Sequence, residues 1–378
     1  MKQIKILQVC PYSSGICGVF QRVKQDSAEL EKRGYSVTIF SSNITKGTNK
    51  ISKPEDHIGN IKIKRFKAIK LGGESYMYWN YTKEALKLKP DIIIVHNYRH
   101  LHTTQALKIK KKLEKKGHNC KVFLVTHAPF VKKNTSRTKV EELIVDLYDK
   151  SVGRKTINKF DKIITITTWE NKYLQQLGCK KEKIIKIPNG IPNIFFKEKI
   201  SYPKNKIKKI LFLGRIAPIK NIETIVNISN KIKANFEIVG SYEKKYYEYL
   251  KNLIKEKKAN NIFFKKPVYD IKQKIKLIDS ADIFILTSKR EAFPQGLLEA
   301  MARGRIVISS DTDGPKEIIT DNKNGFLYPR DDLDILIKKI NNILKLNKKQ
   351  KEKIQKEAIK KAMEYKIEKN IDKLEGLF

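Results

Sequence analysis

Apolar runs of strand length alternate with helix-length stretches almost from end to end of the chain. "IKILQVC", "SVTIFSS", "DIIIVHN", "KVFLVTH", "KIITITT" and "IIKIPNG" are β-branched runs. Stretches between them, such as Val19–Arg33 and Leu101–Lys116, carry apolar residues at helical spacing. The pattern begins again after residue 205 with "KKILFLGR", "NFEIVG", "NIFFKK", "DIFILTS" and "RIVISS". Near-continuous apolar strands separated by helices predict parallel sheets covered on both faces. Two such series predict an α/β chain of two Rossmann-like domains. The stretch "IPNGIPNIFFKEKISYPKNKIKK" holds three prolines and then a lysine-rich segment with few apolar residues that demand burial. The expected division is therefore a first domain at 1–190, a hinge at 191–206 and a second domain at 207–363. The last residues read as helix, broken near Met363–Tyr365, and the part from about 364 to 378 is expected to pack back onto the first domain.

Composition changes this picture little. A chain of 378 residues exceeds what one core organises, and 40% hydrophobic content is enough for two. No apolar run approaches the roughly 18–20 residues that cross a bilayer. The first residues lack a signal-peptide core and read directly as a strand, so a cytoplasmic protein is expected. Cys10, Cys17, Cys120 and Cys179 are scattered with no CxxC pair, which argues against a zinc site or a disulfide framework. The formal net charge of +40 is the outstanding number. It fits nucleic acid, an anionic membrane or a phosphorylated substrate. It also fits a compositional bias, since lysine, isoleucine and asparagine are abundant throughout. No helix-turn-helix, zinc or aromatic RNA-binding signature accompanies it, so no specific nucleic-acid partner is expected.

Open parallel sheets bind ligands at the carboxyl ends of their strands, and two facing domains of this type enclose a cleft there. After the first strand, "CPYSSGICGVFQRV" offers Gly15 and Gly18 ahead of a helix, a place where backbone approaches phosphate. The spacing is not GxGxxG, and the second strand ends in "SSN" without a ribose-binding acid, which speaks against a nicotinamide dinucleotide. "FLGRIAPIKNIETIV" sets Arg215 at the end of a strand and Lys220 at the opening of a helix, a fork and a point charge suited to a diphosphate. "SKREAFPQGLLEAMARG" sets Glu291 in a strand's exit loop and Glu299 in the following helix. Backbone amides from about Gln295 to Leu298 open that helix. Carboxylates in those places suit vicinal hydroxyls of ribose and of a sugar. Each of these charges also has a plain alternative as a solvated surface group or helix-dipole partner.

Taken together, these motifs resemble a retaining glycosyltransferase of family 4, of GT-B architecture: two facing Rossmann-like domains with a deep interdomain cleft. Glu291 and Glu299 form its E-x7-E signature, and Gly214, Arg215 and Lys220 its GR-x4-K element. "IPNG" (Ile187–Gly190), "GPKEII" (Gly314–Ile319) and "NGFLYP" (Asn324–Pro329) follow in the family's order. Two departures stand out: Ala292 and Asn221 occupy positions where many members have glycine.

The resemblance implies that Arg215 and Lys220 bind the donor diphosphate, and that Glu299 holds the nucleotide ribose. Glu291, with the amides around Phe293, Gln295, Gly296 and Leu297, holds the donor sugar; Gly18 abuts the phosphates. His127, in "VTHAPF", matches the family histidine beside the sugar, with a satisfied buried imidazole as its alternative; His96 in "IIIVHN" is read as structural. The implied reaction moves a hexosyl or N-acetylhexosaminyl unit from a UDP- or GDP-linked donor to a saccharide or lipid-linked acceptor, with no cofactor and no metal. The basic segments Lys108–Lys121 and Phe130–Lys139 are offered as contacts for acidic lipid. A nucleotide-sugar epimerase of the same architecture and a basic nucleic-acid-binding protein are the rival readings.

Overall fold

The computed structural model describes residues 3–15, 17–48, 50–70, 77–130, 138–203 and 205–378. The chain divides into two compact units: Met1–Gly190 with Ile367–Phe378, and Ile191–Lys366.

Among the described residues unit 1 holds ten strands: β1 (Lys5–Tyr12), β2 (Ser36–Ser42), β3 (Glu55–Ile58), β4 (Ile61–Phe66), β5 (Ala68–Lys70), β6 (Met77–Trp79), β7 (Ile92–His96), β8 (Lys121–Val125), β9 (Lys162–Thr165) and β10 (Ile184–Lys186). Eight of them form one sheet in the order β10-β9-β8-β7-β1-β2-β4-β3. Neighbours pair in parallel except β3, which runs antiparallel to β4. β5 and β6 pair separately. The central strands are buried on both faces, as the continuous runs Ile92–Val95 and Val122–Val125 require. β4 differs: in "IKIKRF" Ile61 and Ile63 are buried while Lys62 between them is exposed. That alternation belongs to a strand near the sheet edge, and a search for continuous apolar runs passes over it.

Unit 2 holds β11 (Lys209–Leu213), β12 (Asn235–Val239), β13 (Ile262–Lys265), β14 (Ile283–Leu286), β15 (Ile306–Ser310) and β16 (Phe326–Tyr328). They form one parallel sheet in the order β13-β12-β11-β14-β15-β16. Counted within the unit this is 3-2-1-4-5-6, the doubly wound order whose direction reverses between its first and fourth strands.

The proposed hinge carries more burial than its composition suggested. Ile191 and Phe195 are buried in unit 2. Arg303, itself fully buried, donates to the carbonyls of Phe195, Glu198 and Lys199 while making a two-pronged pair with Asp279 at 2.9 and 2.6 Å. This segment is thus fastened to the second sheet by a guanidinium that no local pattern reveals.

At the chain's end, the helix Lys348–Met363 packs on the helix Gln295–Ala302 of unit 2 and buries Ile354, Ala358 and Ala362. The helix Ile367–Glu375 belongs to unit 1, where Asn370 donates to the Pro188 carbonyl at 2.8 Å. Gly190 lies so close to Ile367 that a Cβ would come within 2.7 Å of its Cα, which accounts for glycine at the end of "IPNG".

Candidate functional site

In unit 2 the strand order reverses between β11 and β14, so the loops leaving these strands part and leave room at their carboxyl ends. Gly214 and Arg215 follow β11, and Ser288 to Glu291 follow β14. Between the two loops Lys220 Nζ donates to Glu291 Oε1, and Ser288 Oγ donates to the same oxygen at 2.8 Å. The backbone is cross-tied as well: Thr287 Oγ1 donates to the Lys220 carbonyl at 2.9 Å, and the Lys289 amide to that of Ile219 at 2.9 Å. Asn221, at φ 52°, ends the short turn Pro218–Lys220 in the left-handed region that asparagine tolerates, so glycine is not needed there. Ala292 has no positive φ among the described residues, and alanine is unstrained.

Gly314 explains its motif. Its amide donates to the Glu291 carbonyl at 3.0 Å, and a Cβ would lie 2.6 Å from the Ala292 carbonyl oxygen. "GPKEII" is therefore a prop under the Glu291 loop, and any larger residue pushes that loop away.

Two further charges hang from the same sheet edge, each with a partner on a neighbouring loop or helix. The half-exposed Arg215 meets Glu243 at 3.1 Å, from the loop after β12. Glu299, 4% exposed, meets Lys274 of the helix Ile271–Asp279 at 2.5 Å. With Lys220 and Glu291, three cations face three acids in three pairs.

The same topological reversal in unit 1 falls between β1 and β7. It gathers polar groups of another kind. His96 Nε2 lies 2.7 Å from Gln8 Oε1, and His96 Nδ1 lies 2.9 Å from His127 Nε2. With Gln8 accepting through its oxygen, His96 carries its proton on Nε2 and His127 donates through its own Nε2. His127 Nδ1 is then left as an acceptor. Burial holds both imidazoles well below the usual histidine range, with the charge of Arg22 adding to the effect, so both are neutral near pH 7.

His127 and Ala128 sit at φ 58° and 54°, a strained pair for residues with side chains. Glu170 holds them there. It is fully buried and accepts from Thr126 Oγ1 at 2.5 Å and from the amides of Ala128 at 2.8 Å, Ile166 at 2.8 Å and Thr167 at 3.1 Å. Burial raises its pKa, against the pull of these hydrogen bonds.

Two glycines of the first loop separate cleanly. Gly15, at φ 80°, would place a Cβ 2.6 Å from the Lys46 carbonyl oxygen, so packing demands it. A Cβ at Gly18, the first residue of the helix Gly18–Lys32, would meet nothing within 4 Å. Nothing in unit 1 asks for its small size.

Comparison with known proteins points to one family. The family model for glycosyltransferase family 4 matches residues 16–193, and that for glycosyl transferases group 1 matches residues 193–361. The chain belongs to glycosyltransferase family 4. An uncharacterized glycosyltransferase of Methanocaldococcus jannaschii is 26% identical over 349 residues, 86% of each chain. The Escherichia coli O-antigen biosynthesis glycosyltransferase WbnH is 29% identical over 188 residues, 47% of this chain and 51% of the relative. Among solved structures, Anabaena HepE in complex with UDP and glucose superposes with a TM-score of 0.72 at 14% identity, covering 99% of both chains. The architecture is GT-B.

For this glycosyltransferase, the structure brings Lys220 and Glu291 into contact and leaves Arg215 and Glu299 with other partners. Two expected donor groups need correction. Leu297 is fully buried and its amide bonds to the Pro294 carbonyl at 3.1 Å; the Leu298 amide is taken by the same oxygen at 3.4 Å. Of the helical amides, Gln295 and Gly296 therefore form the tip. The Phe293 ring is buried against Tyr365 with centroids 5.6 Å apart, so only its backbone is available to a ligand.

Sequence reasoning missed Glu170, Lys274 and Glu243. None carries a local signal, because each acts through a partner from a distant loop or helix. It also missed an apolar stripe on the helix Lys139–Tyr148, which the spacing does show. Val140, Leu143, Ile144 and Leu147 follow i, i+3, i+4, i+7 and stay exposed. Of the two basic segments, Lys108–Lys121 lies on the helix Leu101–Glu114 and the residues after it; positions 131–137 of the other lie outside the described residues. No described helix is long and apolar enough to cross a membrane.

Proposed function

We propose that this glycosyltransferase moves a hexosyl or N-acetylhexosaminyl unit from a UDP- or GDP-linked donor to a saccharide or lipid-linked saccharide. The product keeps its anomeric configuration, and the work belongs to polysaccharide or glycolipid assembly. The observation that carries the reading is the Lys220–Glu291 pair, braced by Ser288 and Gly314 at the reversal point of the second sheet. The saccharide assignment draws support from the O-antigen role named for WbnH and from the UDP and glucose named for HepE.

As the donor bond loosens, negative charge gathers on the leaving phosphate. Arg215 exchanges Glu243 for that phosphate, and Lys220 turns to it from Glu291, which frees Glu291 for sugar hydroxyls. Glu299 takes the ribose. Charges fixed in place before reaction stabilise the transition state with little reorganisation. The departing phosphate accepts the acceptor's proton, so no protein base and no metal takes part. In unit 1, Gly18 leaves the start of its helix open to phosphate, and His127 offers one neutral hydrogen-bonding nitrogen to the sugar. The exposed apolar stripe on Lys139–Tyr148 supports a peripheral membrane contact. That helix carries three acids and one lysine, so any attraction to anionic lipid comes from the chain's positive charge elsewhere.

The test is a panel of nucleotide-sugars scored first by thermal stabilisation, which follows ligand affinity. The donor that stabilises is then incubated alone and with saccharide acceptors. Acceptor-dependent release of nucleotide upholds the reading. Epimerised sugar from donor alone, or no stabilisation by any donor, overturns it.

A further inference from the structure

A cavity of about 680 Å³ lies at the amino ends of strands in the second sheet. It is floored by Ile283 and Ile306, the first residues of β14 and β15, and walled by Ile343 and Leu344. The carboxyl ends of the same strands carry the Glu291 region. β14 has four residues, so the two places are separated by roughly 13 Å of strand.

The cavity's charge is lopsided. Five lining residues are cations and two, Asp282 and Glu352, are acids. Both acids are already engaged: Asp282 with Lys208 at 3.0 Å and Glu352 with Lys348 at 4.0 Å. Lys351 and Lys356 line the same wall from the helix Lys348–Met363 and have no ion-pair partner among the described residues.

The decisive group is Arg305. It is 1% exposed, and no carboxylate among the described residues lies within ion-pair distance. Its Nε and Nη1 are spent on the carbonyls of Arg303, Asp279 and Ala281, while Nη2 has no hydrogen-bond partner. A buried charged donor left unpaired is costly, and native structures seldom keep one without a use. Tyr202, half exposed, lies against the guanidinium with the ring 4.9 Å from it.

We infer that this cavity binds an anionic amphiphile, a phosphate head held by Arg305, Lys351 and Lys356 with an apolar tail laid over the isoleucine floor. Phosphate fits because it is a compact anion and these three cations line the one cavity. The tail fits because the floor is aliphatic and the volume exceeds what a lone ion fills. This inference does not rest on the glycosyl-transfer reading.

Calorimetry on the full chain tests it, with dodecyl phosphate below its micelle-forming concentration, inorganic phosphate, and dodecyl maltoside as the uncharged control. The expected result is one dodecyl phosphate per chain, with inorganic phosphate and the maltoside far weaker. The double variant K351Q/K356Q, on the helix surface, should bind at least about tenfold more weakly. Unchanged thermal unfolding of that variant shows that the loss is not a folding defect. No saturable binding, equal binding of inorganic phosphate, or undiminished binding by the variant would each overturn the inference. A vesicle arm containing phosphatidic acid distinguishes the source. Sedimentation that depends on Lys351 and Lys356 points to a lipid head at a membrane; binding of the dissolved amphiphile alone points to a soluble one. Either outcome upholds the site.

Discussion

At its topological reversal unit 1 sets neutral imidazoles and a glutamine, whereas unit 2 sets matched ion pairs. The strand plan is the same doubly wound one in both. All six histidines of the chain, from His57 to His127, lie in unit 1, and none lies in unit 2. The difference teaches how each solves the problem of a polar group in a dry place. Imidazoles can be buried by giving up their protons, which lowers their pKa. Guanidinium and ammonium groups cannot do so at neutral pH, so in unit 2 Glu291, Glu299 and Asp279 each meet a cation, while Arg305 is buried with carbonyl partners alone. Unit 1 is thereby made sensitive to mild acid, and unit 2 to the loss of a partner from a buried pair such as Arg303–Asp279.

The strongest test of that contrast is Arg303→Ala. It leaves Asp279 buried without its partner and releases three carbonyls of 195–199. Removing one member of a buried pair costs about 3–5 kcal/mol. Urea unfolding should register a loss of that size in unit 2; a loss under about 1 kcal/mol would mean that the pair is not structural.

Next comes Arg215→Ala. Its pair with Glu243 is exposed, so stability should change by less than about 1 kcal/mol. Turnover should nonetheless fall by about 10²–10³-fold, the usual effect of losing one group that stabilises developing charge. Full activity contradicts the role given to Arg215.

Acid probes unit 1. His102, bonded to the His96 carbonyl at 2.9 Å, has its pKa lowered by burial from 6.5 to about 4. Below pH 6.5 the unfolded chain gains a proton that the folded chain refuses. Stability is therefore full above pH 6.5 and declines as the pH falls toward 4, by on the order of 3 kcal/mol for this residue. Hydrogen exchange resolved by peptide should show unit 1 opening over that window while unit 2 holds. Equal opening of both would remove the contrast.

The smallest effects come from two glycines. Gly15→Ala, facing the Lys46 carbonyl at positive φ, should destabilise by about 1–3 kcal/mol. Gly18→Ala should leave stability within about 0.5 kcal/mol, since a Cβ there meets nothing. The same change should raise the donor KM if phosphate approaches that helix. Thermal melts and steady-state kinetics on the two variants decide it.

Much of the plan was readable. Every continuous apolar run quoted from the sequence lies in a parallel strand, and Arg215, Lys220, Glu291 and Glu299 all lie near carboxyl strand ends of one sheet. β4 escaped because its alternation differs from a buried run, and β16 because three residues carry too little period to recognise. The apolar stripe of Lys139–Tyr148 was legible from its i, i+3, i+4, i+7 spacing, but spacing alone does not say that the face stays exposed. Glu170 was not legible at all, since a glutamate in "TTWENKY" looks the same whether solvated or clamping a strained loop 42 positions earlier.

The sequence by itself determined the strands, the α/β class and which charged groups the chain would carry, because periodicity and turn residues act over a few neighbours. Only the tertiary structure decided which counter-charge each group meets: Arg215 finds Glu243 28 positions away, and Lys220 finds Glu291 71 away. It also decided which imidazole nitrogen stays bare and which guanidinium nitrogen goes without a partner. Such pairings are made when loops from separate strands are brought to one edge of a sheet, and that meeting has no trace in any local stretch of the chain.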